Sequence, residues 1–168
     1  PEKLGRWRPV LSGSLFTPAN GYDGPGEGVS SGVYSIGTYG AWRRLVDPEN
    51  KKALQEFSDR WVTWFRKNFP DVEYFLYLLD EPRQADLPKV ERWASWIKEG
   101  TGPGKTLKTM VTKYLVETDK SAPSVDIAFT GWGDASVWRP AIERREKEGK
   151  TFWAYNGTRI TTGSFMTE

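Results

Sequence analysis

Hydrophobic residues recur at helical spacing in the first half of the chain. The residues that define this stripe are Leu54, Phe57, Trp61, Trp64 and Phe65. Their spacing predicts an amphipathic helix that opens at Pro48, is capped by Asp47 and runs to about Phe69. A second helix is expected to open at 86–88 and to bury Val90 and Trp93. A third helix, heavily charged, is expected to start at 138–140 and to stop at Gly149.

Short apolar runs lie between these helical segments and predict strands. The predicted strands are 8–16, 73–79, 107–111, 125–129 and 151–155. A long Gly-, Ser- and Tyr-rich loop, 17–40, is expected before the first helix. A short connection through Tyr114 and Leu115 is expected after the third strand. Because strands alternate with helices, the pattern indicates parallel βαβ units.

Two architectures fit this order of elements. One is an open, doubly wound sheet, and the other is part of a closed (β/α)8 TIM-type barrel. A complete barrel takes about 250 residues, and this chain has 168 residues with about five predicted strands. A barrel interpretation therefore makes residues 1–168 a single catalytic domain, the C-terminal portion of a barrel and a fragment of a larger chain.

The composition excludes several classes of function. Lys and Arg total 24 against 22 Asp and Glu, which is too balanced to indicate nucleic acid or an anionic membrane surface as a partner. The chain has neither histidine nor cysteine, so His-based catalysis, common zinc sites and disulfides are excluded. No EF-hand spacing is found, and no Gly-rich phosphate loop follows a predicted strand: the turn 102–105 precedes one instead. We therefore expect no metal, no nucleotide and no other cofactor.

Two adjacent acids end the most apolar segment of the chain. Asp80 and Glu81 follow directly on the predicted strand, at the edge where parallel α/β folds bind ligands. Side chains alternate along a strand, so Asp80 is expected on the face of Leu76 and Leu78, and Glu81 on the other face. Pro82 biases Glu81 toward an extended backbone.

Proximity of the two acids suits them to proton transfer. Desolvation and a neighbouring carboxylate both disfavour a second negative charge, so one acid is suited to donate a proton. The alternative is structural: Asp80 and Glu81 cap the next helix or form ion pairs with Arg83 and Arg92.

Aromatic residues are frequent near the ends of the later strands. The chain has nine Trp, and aromatic residues make up 14% of it. Indole and phenol rings can stack against sugar rings, although core packing is the alternative for each residue taken singly. The candidate substrate-binding residues are Tyr77, Trp132, Trp138, Trp153, Tyr155 and Asn156.

Three motifs in this order resemble a known family. The stretches FLYLLDEP at 75–82, VDI at 125–127 with a Trp-bearing loop after it, and FWAYNG at 152–157 running into GSF at 163–165 are similar to the catalytic domain of glycoside hydrolase family 123 and its uncharacterised relatives. The resemblance implies a (β/α)8 barrel and release of N-acetylgalactosamine from β-linked glycans with retention. It also implies substrate-assisted catalysis, with Glu81 as general acid and base and Asp80 orienting the 2-acetamido group.

Such a mechanism needs no second carboxylate as nucleophile. Asp126 falls at the start of a predicted strand, which is the wrong edge, while Asp134 and Glu117 lie in connections and stay open as alternatives. The expected function is thus a glycosidase that acts on a β-linked 2-acetamido sugar. A non-catalytic carbohydrate-binding module and an inactive barrel fragment are the alternatives.

Partners and location follow from the same interpretation. A carbohydrate substrate is expected, with neither nucleic acid nor membrane as a partner. An open barrel edge would favour pairing with a second copy of the chain. The residues leave the compartment open, and the resemblance favours an extracytoplasmic or secreted location.

Overall fold

A computed structural model of the protein describes residues 1–24, 26, 28, 32–130 and 135–154. The strands are β1 (Val33–Ile36), β2 (Glu73–Leu79), β3 (Lys108–Tyr114), β4 (Ile127–Thr130) and β5 (Thr151–Ala154). The α-helices are α1 (Arg8–Leu11), α2 (Lys51–Asn68), α3 (Leu87–Lys98), α4 (Leu115–Ser121) and α5 (Ala135–Lys147). Short 3-10 helices span Glu2–Trp7, Pro18–Asn20, Thr38–Arg44, Gln84–Asp86 and Pro103–Thr106. Within these ranges, no helix combines the length and the apolar character needed to cross a bilayer.

The five strands form one parallel sheet in the sequential order β1-β2-β3-β4-β5. This confirms the expected α/β class, in which parallel strands alternate with helices. The strand order does not reverse anywhere in the sheet, whereas a doubly wound sheet places helices on both faces by reversing its order. All crossovers of this sheet can therefore lie on one side.

One face of the sheet packs against the helices, and we call it the helix face. Leu76 and Val111 lie there in the main core, together with the apolar stripes of α2 and α3. Ala128 and Phe152 contact α4 and α5 in a second cluster on the same face. Trp93 of α3 is 1% exposed, as its position in the predicted helical stripe requires.

The opposite face carries its own cluster of apolar and aromatic side chains, and we call it the aromatic face. Its members are Phe75, Tyr77, Met110, Ile127 and Phe129, with Trp153 packed against them. None of these residues belongs to a helix. Each of these five residues is 8% exposed or less, so in the described chain they form a separate core cluster, with Trp153 as its partly buried neighbour.

The first predicted strand, 8–16, is wrong. Residues 8–11 form the helical turn α1, in which Pro9 occupies an early position where its missing N–H is not needed. The first strand is instead β1, within the segment predicted as the loop 17–40. It pairs in parallel register with β2, with Ile36 opposite Leu76.

The ends of other elements differ from the prediction by a few residues. Helix α2 begins at Lys51, because Asn50 is its N-cap and accepts a hydrogen bond from the backbone of Ala53 at 3.0 Å. Asp47, the expected cap, accepts a bond from Glu49 N at 3.0 Å in the turn before the helix. The expected short connection at 114–115 opens helix α4. The third strand continues to Tyr114, and α5 includes Pro140 inside it.

Candidate active site at the end of the second strand

A β-bulge near the end of β2 turns Asp80 toward the aromatic face. Tyr77 pairs with Met110, but Leu79 pairs with Val111, so Leu78 and Leu79 together oppose one residue of β3. Both leucines pack toward the helix-face core. The alternation then resumes one residue out of phase. The prediction that Asp80 shares a face with Leu78 is therefore wrong.

The segment after β1 supports this bulge from the helix face. The indole Nε1–H of Trp42 donates a hydrogen bond to the carbonyl of Leu78 at 3.0 Å, and Trp42 is fully buried. Gly37 has φ +63°, and a Cβ there would lie 2.4 Å from the Cβ of Trp42. Gly40, at φ +74°, approaches Leu78 O closely. Glycine at these two positions allows the turn to place the indole of Trp42 against the bulge.

Asp80 is held by two hydroxyl groups on the aromatic face. Its Oδ1 accepts hydrogen bonds from the phenol of Tyr77 at 2.5 Å and from the hydroxyl of Thr112 at 2.8 Å. The two hydroxyl oxygens lie 3.1 Å apart. The carboxylate orientation is thereby fixed, and its second oxygen can accept a further donor. An oriented acceptor of this kind can position an N–H group of a ligand.

Glu81 presents an exposed carboxyl group beside this arrangement. Its backbone N–H donates to Thr112 Oγ1 at 2.6 Å, and its φ of +39° lies in the left-handed region. The expected extended backbone before Pro82 is therefore wrong, because the bond to Thr112 turns the chain there. Within the described parts of the chain, no ion pair involves Glu81.

In the described residues, the acid pair neither caps the next helix nor forms an ion pair with Arg83 or Arg92. Arg92 pairs with Glu49 at 2.5 Å, and not with Asp80 or Glu81. In the short 3-10 helix Gln84–Asp86, which precedes α3, the carboxylate of Asp86 accepts a hydrogen bond from the backbone N–H of Arg83 at 3.2 Å.

Tyr77 has an environment that keeps its phenol protonated. Burial raises the pKa of Tyr77 well above its ordinary value, and the hydrogen bond to Asp80 raises this pKa further. A protonated phenol is a permanent hydrogen-bond donor to Asp80. Tyr77, predicted to contact the substrate, thus orients Asp80 in this structure.

The predicted aromatic residues fall into three groups. Trp153 lies on the aromatic face, with its ring centroid 5.1 Å from that of Phe75 and 6.1 Å from that of Phe129, both edge-on. Trp138 packs instead against the α4–α5 cluster on the helix face, so the structure does not bring it together with Tyr77 and Trp153. The predicted residues outside the described ranges are Trp132, Tyr155 and Asn156.

The other acids considered from the sequence lie apart from this site. Asp126 precedes β4 and accepts bonds from the backbone and hydroxyl of Thr109 while it pairs with Lys98 at 2.8 Å. Glu117 pairs with Lys113 at 2.8 Å on α4. Asp134 lies outside the described residues. In the described ranges no three His, Cys, Asp or Glu side chains are grouped as a metal site would require.

Sequence reasoning missed three residues that shape the site. Thr112 lies one position beyond the predicted strand 107–111, and extending the alternation by one residue would have placed it on the face of Met110. Trp42 and Tyr39 lie in or near the predicted loop. The ring centroid of Tyr39 is 5.8 Å from that of Tyr77.

Comparisons with known proteins assign no family to the chain. No family model matches it, and no curated protein matches it. The function must therefore be argued from the residues of the site and from the sequence resemblance alone.

Proposed function

We propose that this protein is a glycoside hydrolase that cleaves a β-linked 2-acetamido sugar, with N-acetylgalactosaminidase-like specificity. The observation that carries the proposal is the bulge, which turns Asp80 onto an aromatic face and fixes it between Tyr77 and Thr112. Glu81 follows with an exposed carboxyl group. The two acids thus have different environments, as two different roles require.

The reaction we propose is retaining and substrate-assisted. The carbonyl oxygen of the 2-acetamido group attacks the anomeric carbon, and the bond to the leaving oxygen breaks as Glu81 gives that oxygen its proton. Asp80 accepts the acetamido N–H and stabilises the positive charge of the oxazolinium intermediate. Water then attacks the anomeric carbon, Glu81 takes its proton, and the acetamido group is regenerated. No carboxylate of the chain serves as nucleophile, which makes this class an exception among retaining glycosidases.

We also propose that the five strands belong to a (β/α)8 barrel. Three features support this: the sequential order of the strands, the helices that share one face, and the separate aromatic face. In such a barrel the helix face is the outside, and the site lies at the carboxyl ends of the strands. Asp80 and Glu81 follow the carboxyl end of β2.

The test compares substitutions at the two acids. General acid catalysis contributes about 10²–10⁴-fold, and its contribution is largest for a poor leaving group. Glu81→Gln should therefore abolish hydrolysis of a 2-acetamido-β-galactosyl disaccharide. It should lower the rate of hydrolysis of the 4-nitrophenyl glycoside by a smaller factor, because 4-nitrophenol is a better leaving group. Asp80→Asn should slow both reactions strongly, since both need the acetamido group oriented.

The matched control is Glu56→Gln, which removes an exposed carboxylate on α2. It should leave both rates unchanged. Circular dichroism should show that each variant is folded. A Glu81→Gln variant with full activity on the disaccharide would end the assignment of Glu81 as the acid.

A carbohydrate-binding module without activity is the second candidate. It is favoured by Trp153, a partly buried ring beside the aromatic cluster that could stack against a sugar without any reaction. Such a module would bind sugar, would lose binding on Trp153→Ala, and would turn over no chromogenic glycoside. A thiazoline that mimics the oxazolinium intermediate separates the two functions, because only a hydrolase site should bind it far more tightly than the parent sugar.

A further inference from the structure

The segment Thr38–Arg44 lies beside the acid pair and is not used by the proposed reaction. It follows β1, whose neighbour in the sheet is β2, so it shares the carboxyl edge with Asp80 and Glu81. It presents an aromatic ring, Tyr39, and two adjacent guanidinium groups. These three side chains line one surface hollow together with Thr38, Gly40 and Ala41.

Tyr39 has a strained backbone conformation. Its φ of +57° lies in the left-handed region, which side-chain-bearing residues seldom occupy. Its side chain is 69% exposed, and its main ring contact is with Tyr77. Tyr39 and Glu81 are the two non-glycine residues with positive φ in the described chain, and both adjoin the Tyr77–Asp80 pair. Strained residues of this kind cluster at ligand sites.

Arg43 and Arg44 have no acidic partner in the described structure, where many other basic residues do. The Nε–H of Arg43 donates a hydrogen bond to the carbonyl of Gly40 at 3.0 Å. This bond orients the guanidinium group and leaves its terminal N–H groups for a ligand. Gly40 has no side chain, so this group can lie close to the turn. A planar guanidinium group matches the geometry of a carboxylate or sulfate.

We propose that this hollow binds an anionic sugar unit attached to the 2-acetamido sugar that is cleaved. Tyr39 stacks against the ring of that unit, and Arg43 and Arg44 bind its carboxylate or sulfate group. The proposal rests on the proposed function, because it names the leaving-group side of the same substrate. It also explains how a site with two exposed acids can accept an anion: the two guanidinium groups offset the repulsion from Asp80 and Glu81.

The experiment measures binding to the full chain with Glu81→Gln, so that the ligand is not consumed. Three disaccharides carry the same 2-acetamido-β-galactosyl unit on glucose, on glucuronic acid or on 6-sulfoglucose. Titration at low salt should show that the two acidic ligands bind about tenfold more tightly than the neutral one, since charge-assisted hydrogen bonds are stronger than neutral ones. High salt should reduce this preference by screening.

Arginine variants test whether the hollow is the source of the preference. Arg43→Gln with Arg44→Gln should abolish it, and Arg44→Gln alone, which breaks no hydrogen bond of the loop, should reduce it. Arg139→Gln removes an exposed charge from α5 and should leave the preference intact. Tyr39→Ala should weaken all three ligands, and Tyr39→Phe should not.

The outcomes separate this inference from the proposed function. Equal binding of acidic and neutral ligands, or a preference that survives the double Arg variant, overturns the inference even if the native protein hydrolyses the neutral disaccharide. An Arg-dependent preference supports it. If that preference occurs in a protein that cleaves none of the ligands, the hydrolase function fails and the anion site stands. If only the sulfated ligand binds more tightly than the neutral one, the hollow is assigned to sulfate. If only the glucuronic acid ligand does, it is assigned to a uronic acid.

Discussion

Replacement of Trp42 by phenylalanine tests how the bulge that positions Asp80 is held. The substitution removes the indole N–H that donates to the carbonyl of Leu78, and it keeps an aromatic ring in the core. Trp42 is fully buried and packs edge-on against Trp93, with 5.2 Å between the ring centroids. The variant should therefore lose stability and also loosen the end of β2.

The expected cost has two parts. A buried carbonyl that loses its donor costs about 1–3 kcal/mol. The smaller ring leaves space in a close-packed core, which adds about 1–2 kcal/mol. Trp42→Phe should therefore lower the free energy of unfolding by about 2–5 kcal/mol, a large part of the stability of a domain.

Trp93→Phe is the matched control. Trp93 is 1% exposed in the same core, but its indole N–H has no hydrogen-bond partner in the described structure. Its replacement leaves a similar space and removes a buried, unpaired donor, which recovers about 1–3 kcal/mol. The Trp42 variant should thus be less stable than the Trp93 variant by about 2 kcal/mol or more.

The assay is urea unfolding followed by far-ultraviolet circular dichroism. The dependence of the free energy of unfolding on urea concentration should be the same in both variants, which verifies that they expose similar surface on unfolding. The ¹³C resonance of the Tyr77 ring gives a second measurement, because Tyr77 bonds to Asp80 just after the bulge. This resonance should shift in Trp42→Phe and should stay in place in Trp93→Phe. Equal losses of stability in the two variants, with an unshifted Tyr77 resonance in both, would refute the reasoning.

Further substitutions have equally definite outcomes. Arg145 is 1% exposed and its Nε lies 2.6 Å from Asp119 Oδ1, so Arg145→Met should lower the free energy of unfolding by about 3–5 kcal/mol. Arg144 pairs with the same carboxylate but is exposed, so Arg144→Met should lower it by under about 1 kcal/mol. Urea unfolding measures both. Tyr39→Gly should be about 1 kcal/mol more stable than Tyr39→Ala in the same assay, because only glycine relieves a positive φ. The pKa of Tyr77 is raised in the folded protein, so the unfolded chain loses the phenol proton at a lower pH. The free energy of unfolding should therefore hold its full value below about pH 10 and fall as the pH rises above it. Tyr77→Phe should make this fall shallower, as measured by urea unfolding at alkaline pH.

Elements with strong local signals could be predicted from the sequence. Strand β2 has the predicted ends, because its apolar run is bounded by a turn on one side and by the acid pair and Pro82 on the other. Helix α3 begins at Leu87 next to Pro88, as expected. Strand β1 has only four residues, one of them Ser35, inside a Gly-rich segment. Its place depends on pairing with β2, which leaves no trace in local periodicity.

The site was predicted less completely than the sheet, because its geometry depends on long-range contacts. The position of Asp80 and Glu81 at a strand end followed from the sequence. The bulge did not, since two successive leucines carry no alternation signal and the irregularity exists only in the pairing with Val111. The support from Trp42 likewise joins residues 36 positions apart in the chain.

The nucleophile of the reaction is the central claim, and a series of substrates tests it most directly. Hydrolysis rates should be measured for 4-nitrophenyl 2-acetamido-β-galactosides whose N-acetyl group carries no, one, two or three fluorine atoms. Fluorine withdraws electrons from the carbonyl oxygen that attacks the anomeric carbon. If the substrate supplies the nucleophile while Asp80 orients it, kcat/KM should fall steeply with each fluorine added. A rate that does not change across the series would show that the acetamido group takes no part, and it would contradict the account.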